Sequence, residues 1–102
     1  MALEILFNKG SESIEVTPVG EIDIYTSPNF KEKVLEVLKE EKKSLIINCD
    51  KLEYLDSTGL GVFMSILKCT KELNVDITLT NLRGTIFKLF DITGLNKIFK
   101  IV

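Results

Sequence analysis

Apolar and polar residues alternate with a period of two near the start of the chain and again in its second half. The pattern covers Leu3 to Asn8, Ser13 to Val19 and Val75 to Thr80. It predicts three strands, each with one buried face and one wetter face. The polar stretch Lys9-Gly10-Ser11-Glu12 separates the first two runs, which predicts that they form a hairpin.

Apolar residues recur at helical spacing in three other segments. These predict helices from Ser27 to about Glu41, from Ser57 to about Leu73 and from Gly84 to about Asp91. Ser27-Pro28 offers an N-cap and a proline in the first turn of the first helix. Gly94 follows the third helix and is a natural terminator for it.

Two short apolar runs complete the predicted sheet. Ser44 to Cys49 lacks clear alternation, which is typical of a central strand covered on both sides, and Ile98 to Val102 is a candidate last strand. The order β-β-α-β-α-β-α-β calls for parallel pairing with right-handed crossovers after the hairpin. With 102 residues, the chain is predicted to form a single α/β domain, residues 1–102, with a mixed and mostly parallel sheet. Because several strands keep a polar face, we expect the helices to lie mainly on one face of that sheet.

Composition narrows the range of partners. The chain has 102 residues and a net charge of −2, which gives no general attraction to nucleic acid or to anionic membranes. No apolar run approaches the roughly 18 residues that span a bilayer, and the N-terminus does not resemble a signal peptide. Cys49 and Cys69 are not spaced as a metal or redox pair, so we expect buried thiols in a cytoplasmic protein.

The chain contains no histidine, and this limits its chemistry. Ser-His-Asp and Cys-His nucleophile systems, most zinc sites and the usual general base near neutral pH are all removed. Gly59-Leu60-Gly61 begins a dinucleotide-binding motif, but Met64 stands where its third glycine should be. No phosphate-binding P-loop is present either. We therefore expect no enzymatic activity, no metal and no cofactor.

One segment, Tyr54 to Met64, combines an acid, two hydroxyls and two glycines where an apolar run turns into a helix. Asp56 or Ser57 is the natural N-cap of that helix. A serine in this place would be exposed, close to a helix N-terminus and able to carry a phosphate. The alternative is that the segment is only a good helix start, with glycines that allow close packing. Gly61 and Met64 are predicted to point outward.

Three segments of the chain together resemble the STAS domain of the anti-sigma-factor antagonist family. Gly20-Glu21-Ile22-Asp23 is similar to the family's turn after the second strand, and Leu52 to Gly61 is similar to its phosphorylation segment. Leu89 to Leu95 is similar to its late L-F-x-x-[ST]-G-[LF] element. The three occur in the family's order and spacing, and the resemblance covers essentially the whole chain. Thr58 departs from the serine that many relatives carry.

The resemblance implies a partner-switching protein. The unmodified antagonist would bind an anti-sigma factor that is also a serine kinase, and so release a sigma factor. Ser57 would be the phosphate acceptor, a PP2C-type phosphatase would reverse the modification, and Asp23 would support phosphorylation. The other residues assigned to partner binding are Asp56, Thr58, Gly59, Gly61 and Met64. Two alternatives stay open: Asp23 could simply cap its own loop, and the domain could be a constitutive scaffold or transporter-associated module. The oligomeric state is also open, because an uncovered sheet face could support a dimer.

Overall fold

A computed structural model describes residues 2–102 of the chain. The six strands are β1 (Leu3–Lys9), β2 (Ser13–Ile22), β3 (Ser44–Asn48), β4 (Leu52–Leu55), β5 (Ile77–Thr80) and β6 (Lys100–Ile101). The helices are α1 (Ser27–Glu41), α2 (Ser57–Leu73) and α3 (Gly84–Thr93), followed by a short 3₁₀ helix, Leu95–Lys97.

The strands form one mixed sheet in the order β1-β2-β3-β5-β6, with β4 also paired to β2. β1 and β2 are an antiparallel hairpin, and every other pair is parallel. β2, β3 and β5 bury alternate residues, and the buried apolar side chains form a single cluster. The predicted architecture is confirmed: an α/β domain with an N-terminal hairpin and helices on one face of the sheet.

β4 is a strand that the sequence pattern did not predict. It has four residues, and Glu53 and Tyr54 in its middle are exposed, so it carries no clear alternation. β2 pairs with β3 over Ser13–Val16 and with β4 over Gly20–Ile22. Pro18 falls between these two stretches, where the lack of an N–H interrupts no bond to β3 or β4.

β2 extends to Ile22, three residues past its predicted end at Val19. The sheet continues because Gly20 adopts φ +119°, a conformation that other residues rarely reach, and the register with β4 shifts at this point. A Cβ on Gly20 would also lie 2.5 Å from the carbonyl oxygen of Ala2. This glycine carries β2 on to the edge where the candidate site lies.

Two predictions about covered strands and helix caps were wrong. β3 is not covered on both sides, since Leu45 and Ile47 are buried whereas Ile46 is only half-buried. The N-cap of α1 is Thr26 and not Ser27. Thr26 makes no side-chain cap bond because its hydroxyl oxygen accepts from the N–H of Asp23 at 2.9 Å, and the hydroxyl donates to the carbonyl oxygen of Glu21 at 2.8 Å.

The end of the chain also differs from the prediction. α3 continues to Thr93, two residues beyond the predicted end, and stops at Gly94 in a left-handed conformation (φ +77°) as expected. The last strand is Lys100–Ile101, shorter than the predicted Ile98 to Val102. Ile98 and Phe99 instead form a turn after the 3₁₀ helix, where the N–H groups of both donate to the carbonyl oxygen of Leu95 at 3.0 Å.

A cluster of four phenylalanines fixes α2 in the core. The ring of Phe63, in α2, lies 6.1 Å from Phe30 of α1, 5.8 Å from Phe90 of α3 and 6.4 Å from Phe99, measured between centroids. Phe63, Phe30 and Phe90 are fully buried. Aromatic pairs at these separations stabilise the fold beyond the burial of their apolar area, so α2, which begins at Ser57, is firmly packed in the core.

Candidate functional site

Asp56 is the N-cap of α2. Its backbone is extended, and its Oδ1 accepts a hydrogen bond from the N–H of Gly59 at 2.9 Å. Its carbonyl oxygen accepts the first helical bond, from the N–H of Leu60 at 2.9 Å. Of the two candidates that the sequence left open, the cap is therefore Asp56, and Ser57 is the first residue of the helix.

Ser57 and Thr58 are both exposed in the first turn of α2. Within residues 2–102, neither hydroxyl makes a hydrogen bond. The first turn also contains no acidic residue, so the partial positive charge of the helix N-terminus is offset only by Asp56 at the cap. Ser57 thus presents a free hydroxyl in a place where a phosphate would be electrostatically tolerated.

Asp23 organises the loop between β2 and α1. Its Oδ1 accepts hydrogen bonds from the N–H groups of Tyr25 (2.8 Å) and Thr26 (3.0 Å), and its own N–H donates to Thr26 Oγ1 (2.9 Å). These bonds, first of all the one from the Thr26 backbone, lower the pKa of Asp23 below its ordinary value of 3.8. The residue is 9% exposed. The loop-capping role that the sequence left open is present in the structure.

The pairing of β2 with β4 brings the two acids to the same edge of the sheet. Ile22 is in register with Leu55 in this parallel pair. Asp23 follows Ile22 and Asp56 follows Leu55, so both acids leave the sheet side by side. Neighbouring strands lie about 4.8 Å apart, which places the Asp23 loop next to the start of α2.

The two glycines of the segment lie in opposite environments. Gly59 is buried, and a Cβ there would overlap Cδ1 of Leu55 and lie 3.2 Å from the carbonyl oxygen of Ile22. Gly61 is exposed, with nothing within 4 Å of a Cβ. Met64, 38% exposed, shares its face of the helix. Gly59 therefore packs α2 onto the sheet and, being buried, is not accessible to a partner.

Sequence reasoning missed two exposed apolar residues beside this site. Ile24 is 63% exposed and Tyr25 is 84% exposed, and both lie in the Asp23 loop. Apolar side chains that a fold leaves in water next to a candidate site are typical of a protein contact surface. The signal that could have found them is an apolar pair between the end of a strand and a helix cap.

The rest of the described chain offers little other chemistry. Burial raises the pKa of the Cys49 thiol to about 12 and also raises that of Cys69, so neither is a ready nucleophile. Residues 2–102 contain no group of three side chains that could hold a metal ion, and none of their helices could cross a membrane. A cavity of about 590 Å³ lies between the β3–β4 loop and the start of α3, and none of the candidate residues lines it.

Comparison with known proteins identifies the family. The family model described as "STAS domain" matches residues 7–102. The anti-sigma-B factor antagonist of Bacillus subtilis is 38% identical over 99% of this chain and 92% of its own. The corresponding protein of Listeria monocytogenes is 39% identical over 91% of this chain and 82% of its own.

The fold of the chain recurs in solved structures. The crystal structure of an anti-sigma factor antagonist from Mycobacterium paratuberculosis superposes with a TM-score of 0.83, covering 98% of this chain and 85% of that one, at 24% identity. The motifs, the sheet order and the relatives agree, and the chain belongs to the STAS domain family.

Proposed function

We propose that this protein is an anti-sigma-factor antagonist and that phosphorylation of Ser57 switches it off. Its relatives in Bacillus and Listeria are named for antagonising anti-sigma-B factor. The observation that carries the proposal is the free, exposed hydroxyl of Ser57 in the first turn of α2. The protein would act in the cytoplasm by binding, without catalysis of its own.

The fold explains why some residues of the motif are present but not others, and the unexplained ones support this assignment. Asp56 caps the helix and Gly59 packs against Ile22 and Leu55, so helix formation accounts for both. Ser57 is exposed, and its hydroxyl makes no hydrogen bond to residues 2–102. A Cβ on Gly61 would have nothing within 4 Å, so packing does not require a glycine there, although a glycine inside a helix costs about 0.5–1 kcal/mol relative to alanine. Residues that the fold does not need are the natural candidates for contact with a partner.

Electrostatics makes one phosphate a sufficient switch. Phosphoserine carries about −1.5 to −2 charges at neutral pH, and the N-terminus of α2 would stabilise such a group by roughly 0.3–1 kcal/mol. At an interface the same charge would sit beside Asp56 and face whatever acids the partner presents. Two unit charges 4 Å apart interact by about 4 kcal/mol at an effective dielectric constant near 20. That energy corresponds to a loss of affinity of about 100- to 1,000-fold, without refolding.

The proposed contact surface consists of the outward side of α2 and the Asp23 loop. From the loop it includes Asp23, Ile24 and Tyr25. From the start and outward side of α2 it includes Asp56, Ser57, Thr58, Gly61 and Met64. The partner would be an anti-sigma factor with serine-kinase activity, and a PP2C-type phosphatase would restore the unmodified state.

Phosphate transfer to Ser57 tests the proposal. The protein is incubated with radiolabelled ATP and purified anti-sigma-B factor of Bacillus subtilis, the class of protein that its 38% identical relative is named for antagonising. We expect label at Ser57, located by mass spectrometry, and none in the Ser57→Ala variant. Thr58→Ala, which removes the neighbouring exposed hydroxyl, is the matched control and should still be labelled.

A lack of transfer to the wild-type protein, or label at Thr58 in place of Ser57, would contradict the proposed switch. Binding without any phosphorylation would favour the constitutive scaffold, in which Ser57 only begins a helix.

A further inference from the structure

A groove of about 270 Å³ runs between α1 and α2. We propose that it binds an acidic segment of the anti-sigma-factor partner, which deepens the proposed function and rests on it. Lys31 and Lys39 of α1 and Lys68 of α2 line the groove, and all three are exposed. Leu35 and Cys69 lie between them and are half-buried and buried, respectively.

The positive charge of the groove is only partly neutralised. Within residues 2–102, none of the three has a carboxylate oxygen within 4.0 Å of its Nζ. Glu72 is the one acid that lines the groove, so the local charge is three positive against one negative. The chain as a whole carries −2, so the residues that line this groove have the opposite net sign. Complementary charge across an interface raises association rate and selects the partner.

The shape and composition of the groove favour a protein segment over a polyanion. Lys31 and Lys39 are eight residues apart on one helix, about 12 Å along its axis, which is the span of two turns of a docked helix. The apolar side chain of Leu35 between them would pack against an apolar residue of that segment. A nucleic-acid backbone presents no apolar group to Leu35. The concave form of the groove suits a narrow segment of a protein better than a flat lipid surface.

The groove is continuous with the surface proposed to surround Ser57. Ser57, Gly61, Ser65 and Lys68 follow one another at intervals of three or four residues on α2, so they share one face. Ser65 lines the groove, and its Oγ donates to the carbonyl oxygen of Gly61 at 3.2 Å. One partner could therefore cover both places.

The charge of a phosphate on Ser57 and the charges of the groove lysines should act independently, because they lie far apart. Ser57 and Lys68 are eleven residues apart, about 16 Å along the helix, which exceeds the Debye length of about 8 Å at physiological ionic strength. The groove should thus contribute affinity and salt dependence, whereas Ser57 sets the on and off states. Losses from changes at the two places should be additive.

The test compares two triple variants for binding to anti-sigma-B factor of Bacillus subtilis. The groove variant is Lys31→Gln, Lys39→Gln and Lys68→Gln. The control variant is Lys88→Gln, Lys97→Gln and Lys100→Gln, which removes the same charge from exposed lysines outside α1 and α2. We expect the groove variant to bind about 10- to 100-fold more weakly with a shallower salt dependence, and the control to stay within about 3-fold of wild type.

Zero-length carbodiimide cross-linking identifies the occupant directly. It joins a lysine amine to a carboxylate that it touches, with loss of water. We expect cross-links from Lys31, Lys39 or Lys68 to aspartate or glutamate of the partner, and none from Lys88.

The other outcomes distinguish failure of the groove proposal from failure of the proposed function. If wild type binds and Ser57→Asp does not, but the groove variant binds as wild type does, the groove proposal alone is wrong. If wild type does not bind, the proposed function fails and the groove proposal with it. If the free protein binds phosphatidylserine vesicles or a DNA duplex through these lysines, the occupant is not an acidic protein segment.

Discussion

Asp23 and Asp56 each follow one member of the register pair Ile22 and Leu55, where the parallel strands β2 and β4 end together. Both carboxylates are already used: Asp23 accepts from two N–H groups of its own loop, and Asp56 accepts from the N–H of Gly59. The hydroxyl of Ser57, next to them, is not bonded to any described residue. The fold thus leaves the hydroxyl of Ser57 exposed and unbonded, as the proposed phosphorylation requires.

Gly59 and Gly61 should respond in opposite ways to alanine. Gly59→Ala forces a methyl group into Leu55 and Ile22, and we expect a loss of about 1–3 kcal/mol in the free energy of unfolding. Gly61→Ala meets open space and should raise it by about 0.5–1 kcal/mol. Urea denaturation of both variants measures the difference. Two changes of the same sign would show that the packing around α2 is described incorrectly.

The cap of α2 should depend on the side chain of Asp56. Asp56→Ala removes the acceptor of the Gly59 N–H and should lower the free energy of unfolding by about 0.5–2 kcal/mol. Asp56→Ser keeps an acceptor of the same geometry and should retain most of the stability. Thermal and urea unfolding of the pair would measure this. Equal losses in both variants would mean that the cap bond contributes nothing.

The lowered pKa of Asp23 predicts a specific acid sensitivity. A carboxylate whose pKa lies lower in the folded state contributes stability above its unfolded value of 3.8, and loses it as the pH falls through the folded pKa. Asp23→Asn keeps an acceptor oxygen but cannot titrate. Its free energy of unfolding should fall less than that of wild type below about pH 4. If the free energies of unfolding of the two proteins fall equally with pH in this range, protonation of Asp23 is not the cause of the acid sensitivity.

A negative charge at Ser57 should not unfold the protein. In the first turn of α2, Ser57→Asp should leave the free energy of unfolding unchanged or raise it by up to about 1 kcal/mol. Ser57→Lys places the opposite charge there and should lower it by a similar amount. Chemical shifts of backbone amides should change only near the start of α2. Shifts that spread through the sheet would instead indicate a conformational switch.

The sequence predicted an element of the fold well where several local patterns indicated the same bounds. α2 begins at Ser57 and ends at Leu73 as predicted, because a cap, a broad apolar stripe and a polar end agree. β4 escaped prediction because four residues with two exposed ones show no period. It owes its existence to pairing with Gly20–Ile22, a tertiary contact that no local pattern contains.

The sequence singled out the segment from Tyr54 to Met64, but it did not show the surroundings of each residue or the neighbouring Ile24 and Tyr25. The sequence gives no reason to treat Gly59 and Gly61 differently. Only the fold shows that Gly59 packs against Ile22 and Leu55, whereas Gly61 faces open space. The basic groove could not be predicted from the sequence either, because it too depends on tertiary contacts. Lys31, Lys39 and Lys68 come from two helices that only the folded core brings together.

The binding constants of Ser57→Asp and Ser57→Ala for anti-sigma-B factor of Bacillus subtilis, measured by titration calorimetry, test the central claim most directly. The account predicts that Ser57→Ala binds within about 3-fold of wild type and that Ser57→Asp binds about 100- to 1,000-fold more weakly. Equal affinity of the two variants would contradict it.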